Sequence, residues 1–460
     1  MNYQQFINRK AIIDSPSGFD PDIRINPKLF EFQKDITRWA LRRGRACLFE
    51  DCGLGKTPQQ LEWAHHVSEK TGRRVLILTP LAVSRQTERE AVKFGIDAKV
   101  ATGSDDISSA ITITNYEKLH RFDPSEFVGI VLDESSILKS FEGSTRTAII
   151  DAFKRTPYKL ACTATPAPND YMELGNHAEF VGAMSRTEML SMFFTHDGGD
   201  TSKWRLKGHA ESAFWKWLCS WAVNIRKPSD IGYDDDGFAL PPLKLHEAVV
   251  SSTGSMDGYL FQLPASSLIE RRDARRASLT DRVKMVADLA NSDGSQWAVW
   301  CNLNSESVAL AKAIDGAVEI TGSDSDEHKE NSLMGFIDGS IRCIVTKPTI
   351  AGFGINMQTC HNMAFCGLSD SYEQFYQAVR RCWRFGQTKE VNAHIITSDI
   401  EGAVVANIKR KEEDSIRMAM EMVRNMSSIN SSEIHSQTKR SVTEYTPETS
   451  IKLPSWISTK

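Results

Sequence analysis

The chain lacks what would place it in a membrane or an oxidising compartment. Its 460 residues contain no run of about 18 apolar residues, the length a spanning helix needs. Met1 to Ile13 is polar, with Arg9 and Lys10 but no apolar stretch behind them, so it does not read as a secretory signal. The nine cysteines are scattered without one Cys-x-x-Cys pair. The nearest approach to a ligand cluster, Cys360, His361 and Cys366, reads as small buried hydrophobes flanking a strand. Disulfides are not expected in the cytosol, where these absences place the chain. Positive charge is not in excess either. With a net charge of −4, any nucleic-acid partner must be met by a local cationic groove rather than by global basicity.

What is present is ample core. The composition, 41% hydrophobic and 25% charged, is that of a globular protein, and the length suggests roughly three domain-sized units. Short apolar runs alternate with helical stretches in the first part of the chain: Ala46–Phe49, Val75–Thr79, Ile111–Thr114, Ile130–Asp133 and Lys159–Thr163. The rhythm returns with Ala298–Cys301, Val318–Thr321, Cys343–Thr346, Met363–Cys366 and Val391–Thr397. Unbroken apolar runs followed by helices are the signature of buried parallel strands. The expected fold is therefore α/β, two lobes (1–175 and 281–425), each a parallel sheet flanked by helices. Between them, 176–280 is expected to be a helical insertion and connector. There Phe214, Trp217, Leu218 and Trp221 fall on one helical face, a packed side rather than a platform for stacking bases. Asp234–Asp236, between Gly232 and Gly237, reads as a solvated turn. Residues 426–460, rich in Ser and Thr from Ser427 on, are expected to be a flexible tail.

The most informative stretch is Asp51-Cys52-Gly53-Leu54-Gly55-Lys56-Thr57, between a strand and a helical run. Gly53 and Gly55 let backbone N–H groups approach phosphates at a helix N-terminus; Lys56 reaches the β- and γ-phosphates and Thr57 holds Mg²⁺. The full Walker pattern has a further glycine where this chain has Glu50. Gly129-Ile-Val-Leu-Asp133-Glu134 supplies the second half of an ATP site: Asp133 completes the Mg²⁺ shell and Glu134 orients or deprotonates the attacking water.

Gln377-Ala378-Val379-Arg380-Arg381-Cys382-Trp383-Arg384-Phe385-Gly386-Gln387 resembles motif six of the SWI/SNF-like ATPases of helicase superfamily two. In that register Arg381 and Arg384 resemble the family's arginine fingers, two guanidinium groups on one helical face that can meet a γ-phosphate across a cleft. The other motifs follow in family order. Phe32-Gln33 resembles the Q motif, which implies adenine recognition by Gln33. Thr79-Pro80-Leu81 and Thr114-Asn115-Tyr116 look like motifs Ia and Ib, which implies contact with the DNA backbone. Thr163-Ala164-Thr165-Pro166, with Asn169 and Glu173-Leu174 after it, is similar to motif three, which links the ATP and DNA sites. Gly352-Phe353-Gly354-Ile355-Asn356-Met357 resembles the core of motif five; with Gln377, Gly354 and Asn356 complete the implied coupling and DNA-contact set. The resemblance covers about residues 28 to 400, and in overall plan is nearest the compact members carried by phages and prophages, which implies the cytosol of a bacterium or phage-infected host.

The family pattern is departed from at Glu50, at Ser136, where relatives commonly place a histidine, and at Lys347-Pro348-Thr349, which opens motif five. The resemblance implies two RecA-like lobes that hydrolyse ATP with Mg²⁺ in the cleft between them and move along duplex DNA through phosphate contacts. The rivals are a strand-separating helicase, against which stands the lack of an evident wedge hairpin, and an ATP-gated DNA clamp within a larger assembly.

Overall fold

The computed structural model describes residues 17–21, 24–139, 143–167, 170–197, 200–250, 278–351, 355–369, 371–398 and 402–435. Ten apolar runs of the sequence become strands of two sheets, nine of them central and the run at 318–321 an edge strand. The first sheet has seven strands in the order β3-β4-β2-β5-β6-β1-β9. These are β1 (Arg45–Glu50), β2 (Arg74–Thr79), β3 (Ala98–Val100), β4 (Ile111–Asn115), β5 (Phe127–Asp133), β6 (Tyr158–Thr163) and β9 (Ala222–Ile225). The second has six, in the order β10-β15-β14-β11-β13-β12. They are β10 (Leu243–Val250), β11 (Trp297–Cys301), β12 (Ala317–Ile320), β13 (Cys343–Thr346), β14 (Asn362–Cys366) and β15 (Val391–Ser398). Every pairing in both sheets is parallel.

Each sheet is covered on both faces, as a parallel sheet must be. Phe49, Leu76, Ile130 and Ala161 point into one apolar layer of the first lobe, and Leu48, Val75, Val131 and Leu160 into the other. The second lobe repeats this with Ala298 and Trp300 on one side and Val299 and Cys301 on the other. The alternation of consecutive residues between layers is the period-two geometry of a strand. Cys360 and Cys366 lie wholly inside this core. No helix among the described residues is long and apolar enough to cross a membrane.

The connecting region departs from the expectation. Residues 176–280 do not form a separate helical insertion: their described part is divided between the lobes. The helix Glu211–Cys219 buries Phe214, Leu218 and, just beyond its end, Trp221 in the core of the first lobe. The aromatic stripe is thus a packed face. The chain then enters β9, which pairs with β1 at the edge of the first sheet, and β10, which pairs with β15 at the edge of the second. Earlier, β7 (Phe194–Asp197) and β8 (Asp200–Leu206) form an antiparallel hairpin that the sequence does not make evident. Its polar strands, Phe-Thr-His-Asp and Asp-Thr-Ser-Lys-Trp-Arg-Leu, lack the apolar alternation that would announce it.

A second correction concerns the last segment. The helix Gly402–His435 continues ten residues past Asn425, into the expected tail; residues 436–460 lie outside the described ones. Val404 and Ile408 pack in the second lobe, whereas Met422 and Met426 lie in the core of the first, and Ile434 in its other layer. His435 hydrogen-bonds the carbonyl of Ile231 at 3.0 Å. One continuous helix therefore ties the two lobes together. The Ser-rich composition obscured it because the apolar contacts are spaced a full turn apart. Met426→Ala is expected to destabilise the protein by about 2–5 kcal/mol in urea unfolding, as for a core methionine; a residue in a free tail would leave the unfolding midpoint where it was.

Candidate active site

Strand β1 ends at Glu50, and the chain turns through Gly53 (φ 92°) and Gly55 (φ 81°) into the helix Lys56–Thr71. Both glycines are required twice over. Their φ values suit no other residue, and a Cβ on Gly53 would lie 2.7 Å from the backbone N of Phe385 in the second lobe. A Cβ on Gly55 would lie 2.3 Å from Gln33 Nε2. Lys56 heads the helix with its Nζ donating to the carbonyls of Glu50 (2.8 Å) and Asp51 (3.2 Å). Strand β5 delivers Asp133 beside it, where Gln60 donates to Asp133 Oδ1 at 2.8 Å and Tyr116 donates to its carbonyl at 2.6 Å.

Glu134 follows in the left-handed region, φ 54°, the one described non-glycine residue to do so. A β-unbranched acid pays roughly 1–3 kcal/mol for that backbone, a strain that clusters at functional sites. Its Oε2 is buried without a hydrogen-bond partner. Burial first, then the neighbouring Glu134, pushes the Asp133 carboxyl up to about 6. A divalent cation would reverse both effects.

From the second lobe the helix Tyr372–Cys382 and the turn after it bring Arg381 and Arg384 to the same cavity. Arg381 is buried and is held by Gln377, whose carbonyl accepts from Nε (2.8 Å) and whose Oε1 accepts from Nη2 (2.7 Å). Arg384 shares the Ile355 carbonyl with it, each donating at 3.4 Å. Among the described residues neither guanidinium has a carboxylate within ion-pair distance. Burial, and then the like charge of Arg381, pull Arg384 down to about 10. Two adjacent cations with no counter-ion make an anion site.

The cavity, about 510 Å³, is lined by Gln33, Gly53, Gly55, Lys56, Thr57, Asp133 and Glu134 from the first lobe and by Asn356, Arg381 and Arg384 from the second. Every residue expected at the nucleotide is thus on one wall or the other. Gln33 differs in its bonding: it accepts from Phe30 N at 2.9 Å and donates to Leu54 O at 2.8 Å, so it braces the loop rather than standing free for a base. Beside it an aromatic wall, which the sequence did not announce, joins Phe30, Phe238 and Phe385, with Phe238 and Phe385 stacked at 4.8 Å.

The expected DNA-contact and coupling residues fall differently. Thr79, Thr114, Asn115, Thr163 and Gln377 are buried. Thr79 Oγ1 shares a hydrogen bond with Ser84 Oγ at 2.8 Å, Asn115 caps the turn that follows it through Lys118 N, and Thr163 Oγ1 accepts from Thr165 N at 3.1 Å. Thr79, Thr114, Asn115 and Thr163 sit at strand ends under the loops they launch, and Gln377 lies in the helix that carries Arg381. Pro80 lines a second interlobe cleft of about 410 Å³, and Asn356 faces the nucleotide cavity. Gly354 and Asn169 lie outside the described residues.

Residues 281–386 match the helicase conserved C-terminal domain family. Over 419 residues the chain is 24% identical to SWI/SNF-related matrix-associated actin-dependent regulator of chromatin subfamily A-like protein 1 of Xenopus tropicalis, covering 82% of this chain and 43% of that protein. It is 22% identical over 445 residues to DNA annealing helicase and endonuclease ZRANB3 of Mus musculus, covering 85% and 41%. The Sulfolobus solfataricus SWI2/SNF2 ATPase core in complex with dsDNA aligns over 89% of this chain and 97% of that chain, at 18% identity and a TM-score of 0.41. The chain spans less than half the length of the curated relatives it matches. The match to the helicase C-terminal family is confined to 281–386, while the similarity to SWI/SNF-related proteins runs along most of the chain.

Glu50, at the position of the missing Walker glycine, is wholly buried; burial pushes its carboxyl up to about 7 against the pull of Lys56. A carboxyl raised in the folded state favours folding below its ordinary value of 4.5 and loses that contribution as pH rises to about 7. Glu50→Gln is therefore expected to gain thermal stability over the parent chain at pH 8 and not at pH 4.5, measured as the difference in Tm across that range.

Proposed function

We propose that the chain is a DNA-stimulated ATPase of the SWI/SNF-like type, a translocase that uses ATP and Mg²⁺ between its lobes to move along duplex DNA. One observation carries the reading: Arg381 and Arg384, two guanidiniums without a carboxylate partner, face Lys56, Asp133 and Glu134 across one cavity. Bound ATP with Mg²⁺ supplies the phosphoanhydride and the metal charge. Lys56 and the Gly53–Gly55 backbone hold the phosphates; Thr57 and Asp133 hold the metal. Glu134, strained toward the cavity, accepts a proton from the attacking water. Arg381 and Arg384 meet the charge that develops on the γ-phosphoryl oxygens. Phe30, Phe238 and Phe385 give a base an aromatic wall.

The DNA half of the reading rests on the second cleft. Lys139 and Lys329 line it among five carboxylates, and Arg85 and Lys118 of the first lobe reach two of those carboxylates from beside it, so the positive groups available to a phosphate are these four. Arg85, Lys118 and Lys139 meet the second-lobe carboxylates Glu330, Asp326 and Glu373 in turn. The Arg85 and Lys118 pairs reach solvent and are worth about 0–1 kcal/mol each, weak enough for phosphates to displace, whereas Lys139 meets a buried Glu373. Glu134 lines this cleft as well as the nucleotide cavity, so what enters one touches the catalytic carboxylate of the other. Strand separation is the second reading; displacement of one strand from forked DNA distinguishes it from translocation.

Two outcomes test the function. Arg381→Ala and Arg384→Ala are expected to lower DNA-stimulated turnover by roughly 10³-fold or more while ATP binding changes far less, with lysine rescuing poorly. Wild-type rates in both variants would remove the cleft as the active site. Removing Lys118 and Lys139 together should weaken duplex binding evenly across sequences and flatten its salt dependence by about one unit of slope per lysine; an unchanged slope would place the phosphates elsewhere.

A further inference from the structure

The same helix that carries Arg381 places a third arginine on the phosphate-binding loop itself. Arg380 Nη2 donates to Asp51 Oδ1 and to the carbonyl of Cys52, both at 2.8 Å. Tyr376, one turn earlier, donates its hydroxyl to the same Asp51 oxygen at 2.8 Å. Arg226, on the connector between the lobes, approaches the other oxygen at 3.8 Å. The Arg380 guanidinium is flanked by the rings of Trp383 (4.9 Å) and Tyr376 (5.8 Å). Its side chain is 4% exposed and that of Asp51 12%, so the pair is nearly dry. Burial alone would raise the Asp51 carboxyl; Arg380, Arg226 and the bonds from Tyr376 and Cys52 N–H hold it below its ordinary value.

The loop therefore has two halves with different partners. Gly55 to Thr57 face the cavity alone, while Cys52 and Gly53 border it and also meet the second lobe. Asp51 to Gly53 are gripped by the second lobe, through Arg380 on the carboxylate and a carbonyl and through Phe385 backbone packed on Gly53. Arg380 faces away from the uncompensated anion site, with its charge already matched. It is equipped to hold the loop and not to meet a phosphate.

Granting the ATPase reading, we propose that Arg380, with Tyr376, is a positioning residue that latches the second lobe to Asp51 and Cys52 and so holds the loop in the geometry that binds nucleotide, the latch governing nucleotide affinity rather than the hydrolytic step. Arg380 and its neighbour Arg381 thus divide the labour: one holds the loop, the other the transferring phosphoryl group.

The test sets Arg380→Gln, Asp51→Asn and the double variant beside Tyr376→Phe, the mildest change. Equilibrium affinity for ADP without DNA and the distance between probes on the two lobes in nucleotide-free protein are read together with KM and kcat. Each single variant is expected to weaken ADP affinity by about tenfold or more, widen the interlobe distance and raise KM well beyond its effect on kcat. The double variant should be no worse than either single one, because both remove one interaction. Tyr376→Phe, which keeps the ion pair, should shift ADP affinity in the same direction by a smaller factor. Additive losses in the double variant, or a fall in kcat with ADP affinity and lobe distance unmoved, would overturn the latch. A parent chain that neither binds ADP nor hydrolyses ATP would instead overturn the ATPase reading, so the two failures are distinct.

Discussion

Two guanidiniums held side by side without a counter-ion, Arg381 and Arg384, are the constraint around which the rest is arranged. Partial desolvation of like charges is costly, and Arg384 registers that cost in its lowered proton affinity. The protein keeps the pair in place with neutral groups only, the Gln377 side chain and the Gln377 and Ile355 carbonyls. Glu134 acts on Arg384 only from across the cavity, and a carboxylate of the chain in direct contact would have closed the site to phosphate. The relief is left to a ligand, and across the cavity stand the groups that would share it: a lysine, two glycine-bounded amides and an acid pair.

Both lobes serve this geometry in the same way. In a parallel sheet the loops that follow the strands gather at one edge, where ligands of open α/β sheets bind. β1 and β5 lie on either side of β6, so Lys56 and Asp133 arrive as neighbours. The second lobe sends its contribution from the end of a helix. The long helix Gly402–His435, rooted in both cores, limits how far the two edges can part. On the proposed reading, coupling between nucleotide and DNA needs no long wire. Glu134 borders both interlobe cavities, and Tyr116, beside the second, hydrogen-bonds the carbonyl of Asp133.

How much of this was legible follows from what kind of signal each part leaves. Buried parallel strands write themselves as unbroken apolar runs, and all ten such runs are strands. Edge strands do so less: β12 left a run, but β10 has exposed Lys244, Leu245, His246 and Glu247, and β9 is four residues long within an aromatic-rich stretch. The nucleotide residues were legible because glycine, lysine and carboxylate at fixed local spacing have few other uses. The grip of Arg380 on Asp51 was not, since the partners are 329 residues apart and the arginine stood in a motif already explained. Phe238 left no local signal at all. Its place on the aromatic wall is set by where the connector crosses the cleft.

The departure at Ser136 shows how such a gap is filled in three dimensions. A histidine does stand beside the acid pair, but the helix Leu174–Val181 supplies it: His177 Nε2 meets Ser135 Oγ at 3.1 Å, with its ring against Phe49 at 5.2 Å. Burial pushes this imidazole down to about 4, so it is neutral at physiological pH. Its bond to Ser135 is accordingly a neutral one, worth about 1 kcal/mol, and carries position rather than charge. The same helix begins immediately after Glu173 and holds the segment that follows Glu134 through Asn176, which donates to the carbonyls of Leu138 and Lys139. The strained glutamate is thus flanked by a stretch pinned at both ends to one helix. That is what an αL backbone at a non-glycine residue requires in order to persist, since the strain is sustained only where the surroundings over-determine it.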